Sequence, residues 1–318
     1  RVYLLGMPFI AVYNFLAAVY RSQGDTQTPL WALCFATIFN IAGNLFFVLV
    51  CDMGTVGVAF ATVLANALAA GILFWRECRM TGPLRLELRR LLKPDAVSLR
   101  SIIRIGWPAG VQGAVFSFSN LIIQAAINSL GADVMAGSVA AFTIEINVYC
   151  FINAFGLAAT TFVSQNYGAG KPDRVKKSYF IALAYSFGAG LVLGGSLFIF
   201  GRQFLALFTT EGAVIDAGMK RVGVMGFAYC ISAFMDCTIA ASRGLGKTVV
   251  PTVIVVLGSC VFRVIWVYTI FAHFHTIPSL YLLYPCSWAL TAIAEILYFI
   301  HCYKQAMKIF REPIPSSL

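Results

Sequence analysis

The chain has 318 residues, of which 60% are hydrophobic and 11% charged, with a mean hydropathy of +0.83 and a net charge of +10. A soluble domain is nearer half apolar and a quarter charged, so water cannot solvate this surface and lipid must; a soluble enzyme or binding module is excluded. The basic residues cluster beside apolar runs, where anionic lipid and the cytoplasmic bias of Lys and Arg account for them without nucleic acid.

A helix needs about 20 apolar residues to cross a bilayer. Taken in chain order, the apolar runs predict nine spans, at roughly 2–20, 30–51, 55–75, 106–130, 134–160, 178–200, 222–242, 251–272 and 278–302. Segments of this length cross lipid as helices, because every backbone polar group must be satisfied within the segment. Placing the turn at Arg21 in the cytoplasm puts 18 of the 23 Lys and Arg residues on that side, leaving Arg1, Arg202, Lys220 and Arg221 outside and Arg263 within a span. This bias supports nine crossings and a cytoplasmic C-terminus. Residues 76–105 read as a basic cytoplasmic linker with an interfacial amphipathic helix at Arg85–Leu92. They divide a partial N-terminal lobe (1–75) from a C-terminal lobe (106–303), and 304–318 form a cytoplasmic tail. Small residues at Gly57, Ala59, Ala61 and Ala65 predict close helix contact. Pro8 and Pro108 lie in helical runs, where each removes a backbone donor and permits a bend.

One signature occurs twice, 222 residues apart. Arg21-Ser22-Gln23-Gly24-Asp25-Thr26-Gln27-Thr28-Pro29 returns as Arg243-Gly244-Leu245-Gly246-Lys247-Thr248-Val249-Val250-Pro251, both R-x-x-G-x-T-x-x-P. A repeated turn between apolar runs predicts a duplicated membrane bundle, in which two lobes rock about a central site. The first copy joins spans one and two of three; the second joins spans four and five of six. Equivalent lobes would then require three further helices before Arg1, and 12 spans in all.

Other motifs carry little chemistry. The nine cysteines form no C-x-x-C pair, and those within apolar runs (Cys34, Cys150, Cys230, Cys237, Cys260 and Cys286) read as small buried hydrophobes. His273 and His275 lack further ligands for a metal, and no cofactor is implied. Gly246-Lys247-Thr248 ends like a phosphate-binding loop, but Ala241 occupies the required first glycine and a membrane helix precedes it. No H-E-x-x-H or G-x-S-x-G pattern suggests a membrane-embedded enzyme.

Thr161-Phe162-Val163-Ser164-Gln165-Asn166-Tyr167-Gly168-Ala169-Gly170-Lys171, Gly106-Trp107-Pro108-Ala109-Gly110, Arg243-Gly244-Leu245-Gly246, Gly54-x-x-Gly57-x-Ala59-x-Ala61-Thr62 and the pair Asn40 and Asn44 occur in the order and spacing of one family. The chain resembles the MATE (multidrug and toxic compound extrusion) family through nearly its whole length, as that family's helices four to twelve. The wider superfamily includes flippases of lipid-linked sugars. The resemblance implies an all-α, polytopic two-lobed bundle with three helices of the first lobe and six of the second. It also marks Arg21, Gly24, Pro29, Gln165, Gly168, Gly170, Arg243, Gly246 and Pro251 as family turn positions. In studied branches the coupling acids lie on the seventh and tenth helices, or on the first; here the seventh has none.

Charges inside spans are costly, about 2.5 to 3.5 kcal/mol for Asp, Lys or Arg at a helix centre, and by default they mark a pathway. The intramembrane acids are Glu145, Asp236 and Glu295, and the base is Arg263. Helical spacing adds Tyr149 and Asn153 to the face of Glu145, Tyr229 and Ser232 to that of Asp236, and Trp288, Thr291 and Tyr298 to that of Glu295. Asn120, Gln124 and Asn128 repeat on another helix. The candidate binding residues for substrate or ion are therefore Glu145, Asp236, Glu295, Asn120, Gln124, Tyr149, Asn153, Tyr229 and Arg263. Alternatively, Arg263 pairs with one acid and locks helices, and the amide stripe is interhelical glue. Acids beside aromatic rings suit a lipophilic organic cation. The expected function is its export by a monomer in the plasma membrane in exchange for H+ or Na+, with proton and cation competing for one carboxylate. A flippase on the same fold is the alternative.

Overall fold

The computed structural model describes residues 2–80, 85–87 and 95–309. Among the described residues every regular element is helical, and nine helices are long and apolar enough to cross a membrane. They are α1 (Met7–Ser22), α2 (Gln27–Leu45), α3 (Gly54–Arg79), α4 (Ala96–Asn128), α5 (Ala132–Gly168), α6 (Pro172–Ala206), α7 (Gly212–Gly244), α8 (Val249–Phe274) and α9 (Leu283–Ile309), the last preceded by a short helix at Ile277–Tyr281. Large apolar side chains such as Leu49, Phe118, Ile199 and Leu297 point outward, as a surface solvated by lipid requires.

Several boundaries differ from those expected. Helix α4 begins at Ala96 rather than 106, so Arg100 and Arg104 are helical and not linker. Helix α7 begins at Gly212 rather than 222. Hydropathy finds the lipid-crossing part of a helix, whereas the backbone ladder runs on wherever polar side chains can reach water. Residues 85–87 are irregular, and the rest of the interfacial helix expected at Arg85–Leu92 lies outside the described residues, as does most of the 304–318 tail. Pro8 falls in the first turn of α1, where its missing N–H costs nothing; Pro108 is inside α4. Cys34, Cys150 and Cys286 face outward and only Cys230, Cys237, Cys260 and Cys302 are buried.

The chain divides into two compact units, residues 1–99 and 100–318. In the first, Gly57, Ala61, Ala65 and Ala69 form a buried stripe on α3. A Cβ on Gly43 of α2 would come within 3.2 Å of Ala61, so α2 and α3 meet at small residues. Leu16, Ala17, Tyr20, Ala32 and Leu73 form a core at one end, with fully buried Glu77 beside Tyr20. In the second unit α7 is the central helix, packed by α5, α6 and α9. Its own glycines and those of its neighbours permit this: Gly137 of α5 lies on the backbone of Val214 and Gly218, and Gly194 of α6 on that of Gly226.

The two copies of the repeated turn have the same geometry. Gly24 has φ +86° and Gly246 φ +75°. Gly24 N donates to Arg21 O (3.0 Å) and Asp25 N to Tyr20 O (3.0 Å), matched by Gly246 N to Arg243 O (2.9 Å) and Lys247 N to Ser242 O (3.0 Å). This pair of bonds closes a helix with a left-handed residue. Thr26 and Thr248 then lead into the next helix, whose first turn tolerates Pro29 and Pro251. Gly170, with φ +65°, closes α5 in the same way, Gly170 N bonding Tyr167 O and Lys171 N bonding Asn166 O, both at 3.0 Å. The copies differ in the side-chain bonds that follow the turn glycine. Asp25 accepts from Thr28 Oγ1 (2.6 Å) and Thr28 N (3.0 Å), and these bonds hold its carboxyl below the usual range; the second copy has Lys247 there. A Cβ added at Gly24 or Gly246 would meet nothing within 4 Å, so only the dihedral opposes it. Gly24→Ala and Gly246→Ala should each cost about 1 kcal/mol in detergent unfolding; an unchanged midpoint for both would contradict this account of the turn.

The duplication extends into the helices that follow. Helix α2 ends in a π turn at Phe46–Val50, and α8 contains one at Val267–Phe271, 221 residues later, besides another at Val256–Val261. Such turns widen the helix by a residue and are frequent at functional sites.

Candidate functional site

Helices α4, α5, α7, α8 and α9 of the second unit enclose a cavity of about 650 Å³. Gln112, Phe116, Asn120 and Gln124 come from α4, Tyr149 from α5, Arg221, Tyr229 and Asp236 from α7, Arg263 from α8, and Tyr284 and Trp288 from α9. The wall is therefore aromatic and apolar with a few convergent polar groups, the usual make-up of a small-molecule site.

Glu145 is not on that wall. It is fully buried and held by Arg221, whose Nε lies 3.1 Å from both carboxylate oxygens and whose Nη2 donates to Oε2 at 2.7 Å. Tyr229 OH donates to the same Oε2 at 3.3 Å. The Arg221 guanidinium also lies over the rings of Tyr281 (4.8 Å) and Phe142 (5.5 Å), and Tyr281 shares a short hydrogen bond with Ser138. Arg221, counted as an outer loop residue from the sequence, is in fact buried nine residues into α7. The signal that could have found it is the helical spacing of Val214, Ile215, Ala217 and Gly218 upstream, all buried.

Asp236 lies on the cavity wall, and its Oδ2 has no hydrogen-bond partner. Arg243, Arg263 and Tyr149 are within its electrostatic reach, yet none forms an ion pair with it. Glu295 is fully buried and off the cavity wall, two turns along α9 from Trp288, with both oxygens unpartnered; the charge of Arg243 acts on it. Asn120, Gln124, Tyr149 and Tyr229 are brought together on the wall, whereas Asn153 is exposed and off it. Four residues turn a helix about 400°, so a residue eight positions from Glu145 has drifted about 80° around α5. Gln124 Nε2 donates to Asn128 Oδ1 (2.9 Å) along its own helix, so the amide stripe does not join two helices there.

Among the described residues no acid pairs with Arg263, so the alternative of a lock between helices is not seen. Arg263 is 2% exposed, its Nε donates to Ser287 Oγ (3.1 Å), and its Nη2 has no partner. It lies against Tyr284 (4.6 Å), Phe116 (5.6 Å) and Trp288 (5.9 Å). The turn residue Arg243 instead reaches the wall, donating from Nη2 to Gln112 Oε1 (2.8 Å), which Thr252 Oγ1 also approaches (3.4 Å). Among the described residues no group of three or more His, Cys, Asp or Glu side chains could hold a metal.

The family model MatE matches residues 108–269, half of the chain and most of the helices that enclose this cavity. The chain belongs to the MatE family. A second model, Lipid II flippase MurJ, matches residues 1–103. Two bacterial relatives are the probable multidrug resistance protein YoeA of Bacillus subtilis, 27% identical over 80% of this chain and 56% of that protein, and the probable multidrug resistance protein NorM of Thermotoga maritima, 28% identical over 80% and 55%. A crystal structure of MATE in the bent conformation superposes with a TM-score of 0.86 at 20% identity, covering 98% of this chain and 69% of that one. This MatE chain thus has the MATE fold and is a multi-pass membrane protein whose reported relatives are named multidrug resistance proteins. It spans about half the length of the curated relatives it matches.

Proposed function

We propose that the protein exports lipophilic, cationic compounds in exchange for H+ or Na+, as a monomer in the plasma membrane with its C-terminus cytoplasmic. The carrying observation is Asp236, an acid without an ion-pair partner on the wall of an aromatic cavity. An organic cation gains charge pairing there and cation–π attraction from Tyr149, Tyr229 and Trp288. A proton or sodium ion competes for the same carboxylate, and that competition couples the two fluxes as the lobes alternate access. Glu145 is assigned to structure, because Arg221 already satisfies it. The names of the multidrug resistance relatives support this reading.

A flippase for a lipid-linked precursor is the second reading, favoured by the match of residues 1–103 to the Lipid II flippase model and by two arginines on the cavity wall. The test is efflux of a fluorescent lipophilic cation from vesicles under an imposed pH gradient, then a sodium gradient. Asp236→Asn should abolish the gradient-driven flux, a loss of at least about tenfold, with expression unchanged. Normal coupled export by that variant removes Asp236 from the mechanism, and flux of a lipid-linked sugar without cation flux favours the flippase.

A further inference from the structure

We propose that Arg263 is the seat for an acidic group of the transported molecule, so that the cavity takes an aromatic amphiphile bearing a carboxylate or phosphate. This deepens the export reading and rests on it for the cavity's role.

The two arginines on the wall make opposite arrangements. Arg221 is matched on three contacts by Glu145. Arg263 is as deeply buried, yet among the described residues no acid lies within ion-pair distance of it. A guanidinium carries five N–H donors in one plane. Here Ser287 takes only Nε, and Nη2, itself buried, is unmatched, on a residue that lines the cavity. Tyr284, Phe116 and Trp288 supply attraction to the cation, but rings do not accept the in-plane N–H groups at full strength. The unmatched donors suit a planar or tetrahedral oxyanion, which such a fork binds through parallel hydrogen bonds.

The surroundings fit a ligand of this kind. The three rings offer stacking for an aromatic body beside the acid. Arg263 also lies between the two π turns of α8, Val256–Val261 and Val267–Phe271, irregularities that mark functional positions in helices. A buried guanidinium without a counter-charge is costly, and the chain shows with Arg221 how it supplies one where the role is structural. Asp236 on the same wall provides the opposite pole, so a molecule with both charges engages both residues.

The experiment measures binding to the purified chain in nanodiscs of phosphatidylcholine, using four probes on one ring system: 1-naphthoate, 1-naphthyl phosphate, neutral 1-naphthamide and (1-naphthylmethyl)trimethylammonium. The two acids should bind at least about tenfold more tightly than the amide. Arg263→Gln should remove that preference without weakening the ammonium probe, and Arg263→Lys should keep part of it. Equal affinity of acids and amide in the wild type, or an unchanged ratio in Arg263→Gln, overturns the proposal. If Arg263→Gln does not fold, the wild-type ratio and its reduction in Arg263→Lys decide. Adding phosphatidylglycerol to the discs separates the sources. Displacement of naphthyl phosphate from the wild type by this lipid assigns the seat to a lipid phosphate, and its absence to a free solute. Binding of the ammonium probe, lost in Asp236→Asn, reports on the cation reading separately, so either can fail alone.

Discussion

Arg221→Ala should destabilise the second unit by about 3–5 kcal/mol, the loss expected when one partner of a buried ion pair is removed. The pair is nearly inaccessible, with side-chain exposures of 6% for Arg221 and 1% for Glu145. Truncating the arginine leaves a carboxylate with only the Tyr229 hydroxyl as donor. The pair itself is worth much less than this, because desolvating two charges offsets most of their attraction. The double variant Glu145→Leu with Arg221→Met should therefore recover most of the lost stability. Unfolding of the purified chain in mixed detergent, followed by circular dichroism, gives all four corners of the cycle. A single variant as stable as the wild type, or a double variant no better than Arg221→Ala, would mean that α5 and α7 are not joined as described.

The second large effect separates two adjacent glycines. A Cβ at Gly194 would collide with the backbone carbonyl of Gly226, whereas one at Gly195 would meet nothing within 4 Å. Gly194→Ala must push α6 from α7, an overpacking cost of about 1–3 kcal/mol. Gly195→Ala should be neutral or stabilising by up to about 1 kcal/mol, from helix propensity alone. Gly137→Ala belongs with the first, since its Cβ would fall 2.7 Å from Gly218 N. Equal midpoints for Gly194→Ala and Gly195→Ala would refute this packing of α6 on α7.

The site shows why reading it from sequence succeeds only in part. Asp236, Asn120, Gln124, Tyr149, Tyr229 and Arg263 are legible as intramembrane polar residues, which are rare enough to be informative, and packing brings them to one cavity wall. Asn153 shares a predicted face with Glu145 but lies off the wall, because a step of four drifts around the helix over two turns. Arg221 is not legible as an intramembrane residue because hydropathy places the start of α7 ten residues late. The role of Glu145 was open because its partner lies 76 residues away, and only packing brings them together.

By itself the sequence determined the helical class, the number of crossings among the described residues, and the duplicated turn. Each follows from a local rule: hydrocarbon admits no unsatisfied backbone, and a left-handed position favours glycine. Tertiary structure alone decided which charges cancel and which face the cavity. Among the described residues it matched Arg221 to Glu145, left Asp236 and Arg263 without ion-pair partners on one wall, and kept buried Glu295 off that wall. Ion pairing depends on distances of a few ångströms between helices remote in the chain, and no periodicity within a single helix encodes them.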